Sequence, residues 1–255
     1  MFLRSVTVLC AMLALTACDR TTARYSDDYA TKLSRNELLI LPTNAQAFTV
    51  DAAGTQTRKY EYEGHIEPIL ATELQKQLTE KGYRATILHK KDLMTDKGYT
   101  EYAAFKEAFT AAYEATYKAG ALAKREDAKH SVIRLNGQAK ALGQKLNAPL
   151  MVYIDYNETA RTADGQALDF AAGVAMQMLL GSSGSTPPDQ TRAIVALIDT
   201  ENDKVLWMNP GASAGGGMVA GMIYTDEEQS LKHIQNSLSW ALRELPKRDD
   251  LFKKE

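Results

Sequence analysis

The stretch RAIVALIDTENDKVLWM, residues 192–208, decides the fold. Residues 192–199 and 204–208 are strand runs, and Thr200-Glu201-Asn202-Asp203 between them is a polar hairpin turn. Outward from this pair, strands and helices alternate. Residues 37–42 (ELLILP) are a buried-strand run stopped by Pro42, and the polar connection 43–64 has weaker strand character at 47–50 and 60–62. Residues 66–81 read as an amphipathic helix, with Ile66, Ile69, Leu70, Leu74 and Leu78 at three- and four-residue steps and Gly82 at the stop. A strand follows at 83–88. Next come an Ala-rich helix at 99–124, a helix at 132–147 weakened by Gly137 and Gly143, and a strand at 150–156. The last helix, 226–245, carries Leu231, Ile234, Leu238, Ala241, Leu242 and Leu245 on one stripe and ends at Pro246. This order predicts an α/β (α+β) sandwich, a mixed sheet packed by amphipathic helices, with 99–124 as a helical insertion.

The 255 residues are 45% hydrophobic and 24% charged, the mix of a globular protein rather than a disordered or membrane-spanning one. A formal net charge of -2 argues against nucleic acid as the main partner, which calls for a basic face. The two cysteines, Cys10 and Cys18, cannot build a disulfide framework.

The first residues, MFLRSVTVLCAMLALTACDR, place Arg4 before an apolar run at 6–15 and small residues after it, the layout of a secretory signal peptide. The run is too short to span a bilayer, which takes about 20 apolar residues. Leu15-Thr16-Ala17-Cys18 resembles the bacterial lipobox. The resemblance implies cleavage after Ala17, diacylglycerol on the Cys18 thiol and acylation of the new N-terminus. Several acyl chains give stable anchoring that one chain does not. The expected organisation is a signal peptide at 1–17, a lipidated polar tether at 18–36, one α/β domain at 37–245 and a polar tail at 246–255. Asp19 resembles an inner-membrane retention signal, whereas Arg20 does not assist it, so the choice of membrane stays open.

Chemistry-bearing patterns are sparse. His65, His89, His130 and His233 are isolated in sequence, so each reads as a surface or satisfied histidine. Asp199-x-Glu201-x-Asp203 lacks the glycine and distal acid of a calcium loop, and turn chemistry accounts for it. Residues 215–221 (GGGMVAG) lack the Lys-Ser/Thr pair of a phosphate loop. The aromatic series Tyr102, Phe105, Phe109, Tyr113 and Tyr117 reads as helix packing rather than a base-stacking platform. No cofactor or metal is expected.

Two apolar stretches break the rule that connections are polar. Residues 170–181 (FAAGVAMQMLLG) and 209–224 (NPGASAGGGMVAGMIY) are rich in Gly, Ala and Met. Such patches mark contact with a partner or a membrane. The expected contact residues are Met176, Met178, Leu179, Leu180, Met218, Val219, Met222 and Ile223, facing an envelope protein or a second copy of the chain. A core helix at 170–181 is the alternative.

LLILPTN, the Gly82-Tyr83 helix stop, LGQKLNAPLMVYIDY and ALIDTENDKVLWMN together resemble periplasmic lipoproteins of the CsgG, TolB-N-terminal and ABC-transport-auxiliary type. The turn departs from that pattern, with Asn202-Asp203 where Thr-Gly is usual, and no long alternating strand pair matches a channel hairpin. The resemblance implies a non-enzymatic envelope assembly or transport accessory, lipid-anchored and facing the periplasm. The alternative is an envelope hydrolase or small-ligand-binding lipoprotein whose site is assembled from distant residues.

Overall fold

A computed structural model describes residues 20–35, 37–95, 98–117, 123–162, 164, 190–214 and 227–252. The chain opens with β1 (Arg20–Thr21), β2 (Arg24–Tyr25) and α1 (Tyr29–Arg35). Next come β3 (Leu38–Ile40), β4 (Asn44–Val50), β5 (Gln56–Arg58) and α2 (Tyr60–Glu80). They are followed by β6 (Ala85–Ile87), α3 (Lys90–Thr95), α4 (Tyr99–Tyr117), β7 (Ala123–Lys124) and α5 (Arg125–Lys129). The rest comprises β8 (Ile133–Arg134), α6 (Gln138–Leu146), β9 (Leu150–Arg161), β10 (Gln190–Asp199), β11 (Lys204–Ala214) and α7 (Glu227–Ala241). A 3-10 turn, Arg248–Phe252, lies beyond α7. Among the described residues, no helix is long and apolar enough to cross a membrane.

The sheet is mixed, with strand order β2-β11-β10-β9-β3-β6. β9, β10 and β11 are antiparallel, whereas β3 runs parallel to both β6 and β9. β4 continues the line of β3 along β9, pairing Asn44 with Asp155 and Val50 with Arg161, and β5 folds back on β4. The crossover from β3 to β6 carries α2, and the return past β3 to β9 carries α4 and α6. Crossovers in opposite directions put their helices on opposite faces when both are right-handed. One face accordingly packs Ile66, Leu70 and Leu74 of α2 and Ile234 and Leu238 of α7 against Val152, Ile154, Val195 and Trp207. The other packs Phe105 and Phe109 of α4 and Leu142 of α6 against Met151, Tyr153, Ile194 and Met208. The helical stretch read as an insertion thus supplies α4, whose Phe105 and Phe109 meet the Tyr153 ring edge-on.

The hairpin turn at 200–203 is a structural hub. Asp199 Oδ1 accepts from the N–H groups of Glu201 and Asn202, closing the turn. Asp203, at φ +52°, aims its carboxylate at the start of α6 and accepts from the N–H groups of Gly137, Ala139 and Lys140. It caps that helix from across the fold, in place of a local N-cap residue. Gly137 sits at φ +82°, which favours glycine, so α6 starts there rather than at residue 132 and β8 takes the residues before it.

The structure differs from the sequence reading at both ends of the domain. Residues 20–35, expected as a tether, are folded against the core. β2 pairs Arg24 with Met208 and Tyr25 with Trp207 on the β11 edge, and Ala23 and Leu33 are fully buried. Lys204 holds Asp28 at 2.6 Å, Lys32 reaches Asp199 and Glu201, and the Tyr117 hydroxyl donates to the Thr22 carbonyl. The polar composition suggested solvent, but strand pairing and specific ion pairs fix the segment in place. The start of the polar tail is also packed: Arg248 donates to the Ser34 carbonyl at the end of α1, and the Tyr83 hydroxyl donates to the Pro246 carbonyl. Residues 60–62 begin α2 rather than a strand, where Arg58 grips Glu63 in two bonds of 2.7 and 3.0 Å. Residues 209–214 continue β11 rather than forming a loop, and Leu231 lies on the exposed side of α7, off the buried stripe.

Candidate functional site

Leu15, Thr16, Ala17 and Cys18 lie outside the described residues, as do Met176, Met178, Leu179, Leu180, Met218, Val219, Met222 and Ile223. The structure does fix where their segments attach. Gln190 at the start of β10 pairs with Thr159 on β9 and with Ala214 at the end of β11. The connection leaving β9 and entering β10, and the one leaving β11, therefore attach at the same end of three adjacent strands, within about 10 Å of each other across the sheet.

Beneath that end the sheet carries a buried polar group. Inward positions on β9 are 150, 152, 154, 156 and 158, and on β10 they are 191, 193, 195 and 197, so Glu158 and Thr191 fall where apolar residues would be expected. His233 of α7 completes the group. Exposure is 1% for Glu158, 3% for Thr191 and 8% for His233. Thr191 Oγ1 lies 2.7 Å from His233 Nε2, Glu158 Oε1 lies 4.0 Å from the same nitrogen, and the Tyr156 hydroxyl donates to Glu158 Oε2 at 2.8 Å. Both partners meet one nitrogen. A nucleophile–base–acid relay would set the hydroxyl and the carboxylate on opposite ring nitrogens. The group is enclosed between sheet and helix, so it ties α7 to the sheet rather than offering a cleft. His65, His89 and His130 are exposed, so His233 alone departs from a surface position. Alternation along β9 and β10 was the available signal for Glu158 and Thr191. Nothing local in the sequence links them to residue 233.

Burial holds the His233 imidazole below its ordinary pKa, so it stays neutral near pH 7. The unfolded chain then binds the extra proton first, and stability is lost as pH falls below about 6.5 toward the folded value. Urea midpoints at pH 7.5 and 5.5 should drop on acidification in the parent protein and drop less in His233→Asn. Equal drops in the two proteins would contradict this role for His233.

The other face carries a half-buried polar strip beyond α4. Lys106 Nζ donates to Asn44 Oδ1 at 2.6 Å, the Asn44 amide donates to Asp155, and Asn157 donates to Gln46 at 3.3 Å. Burial lowers the Lys106 pKa, while the Asp155 carboxylate opposes that shift. Arg192 stands 3.9 Å from Asp155, with its guanidinium 5.6 Å from the centre of the Tyr113 ring. These groups satisfy one another and leave a polar sheet surface. A groove of 580 Å³ between α2 and α7 is spanned by Gln77, which donates to Glu73 and to the Gln235 carbonyl. Among the described residues no three His, Cys, Asp or Glu side chains converge as metal ligands would. The acidic turn at 199–203 directs its oxygens to backbone and side-chain donors, as its turn chemistry requires.

No protein-family model matches the chain, and no curated protein matches it. Solved structures give distant likenesses. A dodecameric PelC variant from Paraburkholderia phytofirmans aligns over 82% of this chain and 90% of its own, at 12% identity and a TM-score of 0.32. The LpoB C-terminal domain from Salmonella enterica aligns over 75% of this chain and 96% of its own, at 8% identity and a TM-score of 0.26. Likeness this slight carries no argument about what the present chain does.

Proposed function

We propose that the chain is a lipid-anchored component of the bacterial cell envelope, facing the periplasm, that acts through protein contacts rather than catalysis. In this reading residues 1–17 are a signal peptide removed after Ala17, and Cys18 within Leu15-Thr16-Ala17-Cys18 carries the acyl chains. The contact surface is built from Met176, Met178, Leu179, Leu180, Met218, Val219, Met222 and Ile223. The observation that carries the contact role is the strand register. It attaches both Met-rich apolar segments to one end of one sheet, where two separate stretches can act as a single surface. The enclosure of His233, Glu158 and Thr191 supports contact over hydrolysis, because a substrate needs a reachable cleft.

The test is crosslinking in native envelopes with the wild-type chain and a variant in which those eight residues are serine. Discrete crosslinked species should form with the wild type and fall at least tenfold with the variant, while both proteins keep the same urea midpoint. Unchanged crosslinking in the variant would overturn the contact role.

A further inference from the structure

We infer that the β11 edge of the domain, capped by β1, β7 and α5, lies directly against the bilayer, with the opposite β6 edge facing away from it. The inference rests on acylation of Cys18 and goes beyond it by assigning the membrane-facing side.

Chain length supplies the first step. From Cys18 to Arg20 there are two residue steps, which span at most about 7 Å whatever path Asp19 takes. Arg20 is already part of the fold, pairing with Lys124, while Thr21 pairs with Ala123. Thr21 is buried, Thr22 Oγ1 donates to Asn209 Oδ1 at 2.9 Å, and the Ser26 N–H donates to the Leu206 carbonyl at 2.9 Å. No slack remains between the acylated residue and the domain. A tether of about 18 residues would have let the domain tumble some 20 Å or more from the surface. Instead the lipid headgroups lie within roughly 10 Å of β1.

The sheet supplies the direction. β2 and β8 both pair with β11, and β1 with β7 lies outside that edge, so the anchor leaves from the β11 side. β2 runs against β11, and stepping back from Arg24 to Thr22 moves from Met208 to Asn209, toward the Ala214 end. β6 is five strands away from β2. At about 4.8 Å per strand it stands some 24 Å further from the surface. The described residues on the membrane side mix signs, with Lys124 and Lys129 beside Asp27, Glu126 and Asp127, and Val132 among them is 67% exposed. A mixed surface does not adsorb electrostatically, so the short anchor sets the contact and lipid charge has little effect on it.

The experiment uses the acylated full chain in phosphatidylethanolamine vesicles with a nitroxide on the lipid headgroup. The processed chain contains no cysteine besides Cys18, so single cysteines at Glu126, Lys129 or Thr86 take a fluorophore cleanly. Quenching at Glu126 and Lys129 should exceed that at Thr86 severalfold. It should be the same with phosphatidylglycerol added, and it should collapse to the Thr86 level when 20 Gly/Ser residues are inserted between Asp19 and Arg20. Equal quenching at all three positions in protein that floats with the vesicles would overturn the orientation alone. Protein that fails to float would overturn the acylation reading and the orientation with it.

Discussion

Replacing Trp207 with alanine is expected to lower the unfolding free energy by about 4 kcal/mol, the middle of the range for deleting a buried large aromatic. The indole is fully buried in the core formed with α2 and α7. It gets there through a bulge. Leu197 pairs with Trp207 and Ile198 with Val205, so Leu206 is the extra residue, and it shares the face occupied by Trp207. Two consecutive large side chains therefore fill one core layer, and Trp207 also backs Tyr25 of the N-terminal strap. The indole N–H has no partner among the described residues, so truncation leaves no buried acceptor behind and the loss is one of packing. The urea midpoint should fall with little change in the slope. A loss under about 1 kcal/mol would show that this layer collapses around the cavity and does not organise the sheet.

The second large effect reverses a helix-propensity expectation. Gly143 lies inside α6, where alanine would be favoured by up to about 1 kcal/mol on an isolated helix. A Cβ there would sit 2.2 Å from Cβ, 2.4 Å from Oγ1 and 2.6 Å from Cγ2 of Thr200. Thr200 cannot easily yield, because its hydroxyl donates to the carbonyls of Ala148 at 2.7 Å and Pro149 at 3.1 Å. Overpacking and the strained hydrogen bonds together should make Gly143→Ala about 3 kcal/mol less stable than the parent. Adding Thr200→Ala to it should recover part of that loss, a coupling seen only between residues in contact. A stabilised Gly143→Ala protein would contradict the close approach of α6 to the hairpin turn.

The central strands and the long helices were legible in the sequence because each repeats its pattern locally. Leu150, Val152 and Ile154 alternate, and Leu70, Leu74 and Leu78 recur at helical spacing. Several of the departures come from partners distant in the chain. The strands β1, β2 and β8 have two residues each, too few for periodicity, and exist because the β11 edge and β7 pair with them. Residues 20–35 read as polar tether, yet Lys32 finds Asp199 and Asp28 finds Lys204 across more than 160 positions. The bulge at Leu206 breaks alternation in a way that no local rule signals. The chemistry-bearing positions divide in the same manner. The proposed acylation site rests on a contiguous pattern, Leu15-Thr16-Ala17-Cys18, which a sequence displays directly, whereas Glu158, Thr191 and His233 meet only in three dimensions.

The mass of the N-terminal peptide from the membrane-extracted protein tests the central claim most directly. The account predicts a chain that begins at Cys18, lacks residues 1–17, and carries diacylglyceryl in thioether linkage together with an acylated amino group. The corresponding Cys18→Ser protein should leave the membrane fraction altogether. A Cys18 recovered as a free thiol, or full membrane retention of the serine variant, would contradict it.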